Sequence, residues 1–296
     1  MTDDESKETG STLPRRQLGR FLKDAREGTG LSQERAAELM EWGKATYQRL
    51  EKGTSERVRV RDVLALCEIF GLDDEKTAIA KGLAEQTPAK SWWHAYGDLI
   101  PATFNLYVGL EAGAKQLRFW QPLIVPGLLQ TADYSRVLDR QFFPDDTESE
   151  LDRRVELRAQ RQAILTRSRQ PVTVSVVVHE SAVRTVVGDQ GVMAAQLRHL
   201  ADLSTHDNID IRILPFWAGF PYGSGLPPFV ILDFGLDARG KESDPAVVFA
   251  ENVLGGMYFE RAPDVRRYRE AYETLHAASP DPRPSRDILR AIAKGA

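Results

Sequence analysis

Leu31-Ser-Gln-Glu-Arg-Ala-Ala-Glu-Leu-Met-Glu-Trp-Gly-Lys-Ala-Thr-Tyr-Gln-Arg-Leu-Glu-Lys-Gly53 reads as a helix, a short turn and a second helix. Counted from Gln33, the apolar residues Ala36, Ala37, Met40, Trp42, Tyr47 and Leu50 fall where two helices crossing at a steep angle pack on each other, with Ala37 as the small contact at the crossing. The second helix then turns outward a face carrying Lys44, Ala45, Gln48 and Lys52, with Thr46 and Arg49 beside it. Long donors for guanine edges and phosphates, an amide for adenine and short residues that permit close approach are what a major groove requires. Lys44 and Gln48 are the expected base readers. Gln33, at the start of the first helix, is placed to hold a phosphate with its amide and the nearby backbone N–H groups, and Arg57, Arg59 and Arg61 add backbone contacts.

Helical spacing extends on both sides of this pair. Leu18, Phe21, Leu22 and Ala25 precede it, and Val63, Leu64, Leu66, Cys67 and Phe70 follow. Gly28 and Gly30 are expected to end the first helix, Ser32 to cap the second, and Gly53 and Gly71 to close the third and fourth. The outcome is an all-α, five-helix DNA-binding domain over 15–85, with no strand before residue 90. Between Arg15 and Arg61 twelve basic residues stand against seven acidic ones, while the whole chain has a net charge of −4. That balance excludes a chain coated all over with nucleic acid and favours one local basic surface.

At 296 residues the chain has room for a second core. Residues 1–14 are polar and acidic, without apolar periodicity, and read as a disordered tail. The helical pattern stops in a linker at 86–91, and 92–296 reads as a larger α+β domain. Helices are expected near 102–116, 131–141, 148–168, 192–205, 262–277 and 285–294, and strands at 172–178, 209–214, 228–234 and 246–251. Pro280, Pro282 and Pro284 read as a rigid spacer before the last helix. The stripe Leu151, Val155, Leu157, Ile164 and Leu165 either dimerises or packs internally.

Leu-Ser-Gln-Glu at 31–34 and Arg-Leu-Glu-Lys-Gly at 49–53 resemble the XRE family, the Cro and phage-repressor type of helix-turn-helix regulator, over roughly residues 16–84. Glu41 departs from the pattern: it occupies the turn position where the family usually has glycine. It must therefore accept a positive φ or take another turn, with Gly43 as the relief. Further on, Trp92-Trp93-His-Ala-Tyr-Gly-Asp-Leu-Ile-Pro, Val125-Pro-Gly-Leu-Leu-Gln-Thr131, His179-Glu180 and Ile213-Leu-Pro-Phe-Trp-Ala-Gly219 resemble the C-terminal domain of actinobacterial XRE regulators. The resemblance implies an antitoxin-like protein paired with a small protein encoded by an adjacent gene, and a transcriptional regulator, a repressor in the first instance.

The residues themselves offer little catalysis. His94, His179, His199, His206 and His276 are scattered without ligand spacing, and no phosphate loop or nucleophile elbow is present. His179 and Glu180, adjacent at a strand end, are expected to point to opposite faces and not to share a site. Catalytic residues, metal and cofactor are all expected to be none. Cys67, the single cysteine, reads as a buried helical residue. No signal peptide or membrane-spanning run is legible, so a cytoplasmic location is expected. Trp92, Trp93, Tyr96, Phe104 and Tyr107 have the spacing of helix packing. Phe216, Trp217, Phe220 and Tyr222, on a glycine-rich loop, make, with Trp92 and Trp93, a candidate partner or ligand surface. The expected whole is a homodimer on a pseudo-palindromic double-stranded DNA operator. The alternatives are an antitoxin that sequesters a small partner, with DNA binding for autoregulation, and a regulator responsive to a small molecule.

Overall fold

The computed structural model describes residues 13–295 apart from 56, 86, 88–94, 97, 101, 169, 236–243 and 253–254. Trp92 and Trp93 lie outside the described residues, as do most of the expected tail and linker. The chain divides between residues 94 and 95 into two compact units.

The first unit holds α1 (Leu13–Thr29), α2 (Gln33–Leu39), α3 (Lys44–Glu51), α4 (Val60–Ile69) and α5 (Asp74–Glu85). Leu18, Leu22, Ala36, Ala37, Tyr47, Leu50, Val63, Leu66, Cys67 and Phe70 form one core, and full burial of each large apolar side chain is worth roughly 1.5–3 kcal/mol. Burial pushes the Cys67 thiol pKa up, which suits a packing role. Ser32 caps α2, its hydroxyl accepting the Arg35 N–H at 3.1 Å. Gly30, Gly53 and Gly71 all take positive φ. Gly28, by contrast, lies inside the last turn of α1. The helix also starts earlier than composition indicates: Leu13 and Pro14 belong to it, and a proline is tolerated in a first turn because its missing N–H has no partner there. Thr87, expected in the linker, is buried against the first unit, where its hydroxyl bonds the Ala84 carbonyl at 2.7 Å and its own carbonyl accepts from Arg15 at 3.1 Å.

The second unit is built on a six-stranded mixed sheet, β1 (Gln116–Gln121), β2 (Thr173–His179), β3 (Ile209–Leu214), β4 (Phe229–Asp233), β5 (Val247–Asn252) and β6 (Gly255–Phe259), in the order β3-β2-β1-β4-β5-β6. The half β1, β2, β3 is parallel and the half β4, β5, β6 is an antiparallel meander joined to β1. Its helices are α6 (Ala102–Gly113), α7 (Ala132–Phe142), α8 (Glu148–Thr166), α9 (Glu180–Arg184), α10 (Gln190–Leu203), α11 (Ala262–Ala277) and α12 (Pro282–Gly295). Val265, Tyr272 and Leu275 of α11 pack on Trp120, Val177, Phe229, Ile231 and Val248 of the sheet.

Four strands match the expected segments within a residue or two, whereas β1 and β6 are additions. In β1 both Phe119 and Trp120 are buried, so the alternation that marks a half-exposed strand breaks off after four residues. Two glycines open β6 and lower its intrinsic strand preference. Pro282 and Pro284 are not a spacer but the first turn of α12. Further along, the buried hydroxyl of Ser285 accepts the Ile213 N–H of edge strand β3 at 3.1 Å. Leu151, Leu157, Ile164 and Leu165 of α8 are buried within their own unit, so that stripe packs internally.

Candidate nucleic-acid interface

The expected interface is centred on α3. Glu41 takes the left-handed conformation at φ 57°, and Gly43, at φ −69°, does not relieve it but caps α3 in extended geometry. Holding a non-glycine residue there costs roughly 1–2 kcal/mol. Tyr47, Leu50 and Glu51 face inward. Lys44, Ala45, Thr46, Arg49 and Lys52 are exposed and Gln48 is half-buried. Arg57 and Arg59, also exposed, lie on the segment leading into α4 and rim a shallow hollow with Trp42, Thr46 and Ser55.

A chain of hydrogen bonds runs beneath this face. The Arg26 guanidinium donates to Glu51 through Nε at 2.6 Å and Nη2 at 3.3 Å, and to the Leu31 carbonyl at 2.7 Å. The Gln33 amide donates at 2.6 Å to the Glu51 oxygen that also accepts from Arg26 Nη2, and the Gln33 carbonyl accepts from the Gln48 amide at 3.2 Å. Burial alone would raise the Glu51 pKa; the bonds from Arg26 and Gln33 outweigh it and hold the carboxyl below the usual range. Gln33, expected to hold a phosphate with its amide, thus directs that amide inward, and its carbonyl orients Gln48. Lys44 pairs with Glu34 and Arg35 with Glu38, so Arg49 joins neither acid and bonds the Thr46 hydroxyl at 3.3 Å. An exposed pair such as Lys44 with Glu34 opens readily for a better anion.

Two residues essential to this geometry were not singled out by the sequence reading. Arg26 continues the apolar stripe Leu18, Leu22 by one more step of four, and a charge on a core stripe is the signal that a buried partner exists. Gly19 sits inside α1, where a glycine is unfavourable without a packing reason. Its reason is close approach: a Cβ there would lie 2.4 Å from the Glu51 carbonyl oxygen, and one on Gly53 would lie 2.6 Å from the Arg16 Cα.

In the second unit Phe216, Trp217, Phe220 and Tyr222 are all exposed, Trp217 by 79% and Phe220 by 73%. Their loop is nonetheless anchored. The Phe216 N–H donates to Glu180 at 2.8 Å, the Trp120 indole donates to the Leu226 carbonyl at 3.0 Å, and His179 meets the Phe216 ring edge-on at 5.3 Å. The alternation expected to separate His179 from Glu180 does not operate, because β2 ends at His179 and α9 begins at Glu180. Both then serve the loop. Burial lowers the His179 pKa, while burial of Glu180 is outweighed by the Phe216 N–H and Arg184, which keep its carboxyl low. Tyr96 and Tyr107 are buried, with Phe104 and Tyr107 rings 5.4 Å apart, as in ordinary core packing. Among the described residues no group of three or more His, Cys, Asp or Glu is arranged to hold a metal ion, and no helix is long and apolar enough to cross a membrane.

Two family models match the chain, at different segments. Residues 17–78 match a model described as a helix-turn-helix domain, the fold of a DNA-binding regulator. Residues 104–291 match a model described as a domain of unknown function (DUF5753). No curated protein and no solved structure matches the chain.

Proposed function

The chain belongs to the DUF5753 family, and we propose that it is a sequence-specific, homodimeric transcriptional repressor whose second unit is regulatory rather than catalytic. The observation that carries the reading is α3 itself: its inner residues are locked into the core while Lys44, Ala45, Thr46, Arg49 and Lys52 form one exposed, cationic face. In this reading Lys44 and Gln48 read base edges, Ala45 and Thr46 permit close approach, and Arg49, Lys52, Arg57 and Arg59 meet phosphates. Gln33 fixes the direction of Gln48. The second unit responds to a small protein partner.

Selection of bound duplexes from random DNA by the full chain tests this. Lys44→Ala or Gln48→Ala is expected to change the preferred bases, with about 1–3 kcal/mol of discrimination lost at one position. Arg59→Ala is expected to weaken all sequences alike and lower the salt slope by about one. An unchanged base preference in both of the first two variants removes α3 as the reading helix.

A further inference from the structure

β1, β2 and β3 run parallel, so the segments that follow them open at one end of the sheet. Leu123 and Ile124 follow β1, and Phe216 and Trp217 follow β3. β4 runs the other way and enters at that same end, with Phe229 opposite Trp120, so the preceding loop with Phe220 and Tyr222 lies there too. All six are exposed, Leu123 by 67%. With roughly 150–250 Å² for a fully exposed aromatic side chain, the six together open on the order of 700 Å². Gathered at one end of the sheet, that area is of the size of the largest apolar patches of monomers and approaches the roughly 800 Å² per partner of a standard interface.

We propose that this patch is where two copies of the chain meet about a two-fold axis. The inference rests on the reading of the chain as a dimeric DNA-binding regulator and names the surface that makes the dimer. Charge selects the occupant. From Phe216 to Pro228 there is no charged residue, so nothing there attracts a nucleic acid or a strongly charged peptide, whereas a two-fold contact sets a patch against itself and needs no opposite charge. The loop is also held in place before any partner arrives. Besides Glu180 and Trp120, its own turns close through the Ala218 N–H to the Pro215 carbonyl at 3.0 Å and the Gly223 N–H to the Phe220 carbonyl at 2.8 Å. Such pre-organisation lowers the ordering cost of association.

The test is sedimentation of the full chain without DNA across the micromolar range. The wild-type chain is expected to be a dimer. The double variant Trp217→Ser with Phe220→Ser, whose side chains are exposed, is expected to raise the dimer dissociation constant by about 100-fold or more while keeping the folded circular dichroism spectrum of the wild-type chain. Leu123→Glu, on a different loop, sets like charges across the axis and is expected to do the same; it decides the matter alone if the double variant does not fold. A wild-type chain that is monomeric without DNA overturns the proposal, as does a dimer that survives both sets of substitutions. So does a monomer that takes up the small protein of a neighbouring gene on this patch. Failure of the DNA-binding reading is seen separately, as retention of no duplex by the wild-type chain.

Discussion

Arg26 with Glu51 in the first unit and Arg161 with Glu111 in the second are built alike. In each, a buried guanidinium reaches a buried carboxylate through two hydrogen bonds between helices far apart in sequence. They differ in what else touches the acid. Glu111 accepts the Tyr107 hydroxyl at 2.8 Å, and Arg161 lies 5.1 Å from the centre of the Phe104 ring, so that pair is sealed between α6 and α8. Glu51 accepts from Gln33, which holds Gln48 on the exposed side. A buried pair adds little over an apolar filling, but removing one member strands the other's charge. The same chemistry therefore sustains only the core in one unit, and both the core and a reading surface in the other.

The comparison is broken most severely by Arg161→Met, which is expected to cost the second unit about 3–5 kcal/mol in urea unfolding while leaving DNA affinity unchanged in the cold. A loss of affinity would show that the sealed pair is not private to its unit. Glu51→Gln should cost the first unit about 2–3 kcal/mol and weaken DNA binding with it. Because the folded Glu51 pKa is depressed, its contribution is fully present above the ordinary glutamate pKa of about 4.3 and is lost as the pH falls through the lower folded value. Melting of the first unit against pH should therefore show an acid-side decline that is shallower in Glu51→Gln.

Gly19→Ala is the finer probe. Helix propensity favours alanine by about 1 kcal/mol, yet the new Cβ would press on the Glu51 carbonyl, so the net expectation is a loss of about 1–3 kcal/mol. A stabilised variant would show that α1 can back away from α3. Smallest is Gln33→Ala, expected to take about 1 kcal/mol from discrimination at the base met by Gln48 and to leave affinity for random DNA in place. A uniform loss on all sequences would restore a phosphate-binding role to Gln33.

The two units also differ in how much of them could be read in advance. Ala36, Ala37, Tyr47 and Leu50 are buried at the helical spacing that placed them in the core, because each short helix has one wet face. The exposed face of α3 follows from the same rule. Hidden were the inward hydrogen bonds of Gln33 and Gln48 and the role of Arg26, since composition records that a side chain is polar but not which way it turns. In the second unit β1 escaped notice because its alternation runs for only four residues before Trp120, also buried, breaks it, and the glycines of β6 pair through backbone rather than through strand-forming side chains. The loop at 216–222 was legible as too apolar to lie bare, but its anchor on Glu180 depends on the chain passing directly from strand at His179 to helix at Glu180.

The bond from Ile213 to Ser285 has a bearing on synthesis. The two residues are 72 positions apart, which at about 5–20 residues per second is roughly 4–14 s of translation. For that interval β3 has left the ribosome with its outer edge open, and an open edge is a template for pairing with another nascent chain. The first unit has a contact of equal span, Arg15 to Thr87, but its described residues form helices and leave no strand edge open while it waits. Crowded polysomes should therefore expose the second unit, not the first, to misassembly, and α12 is the segment whose arrival ends the exposure.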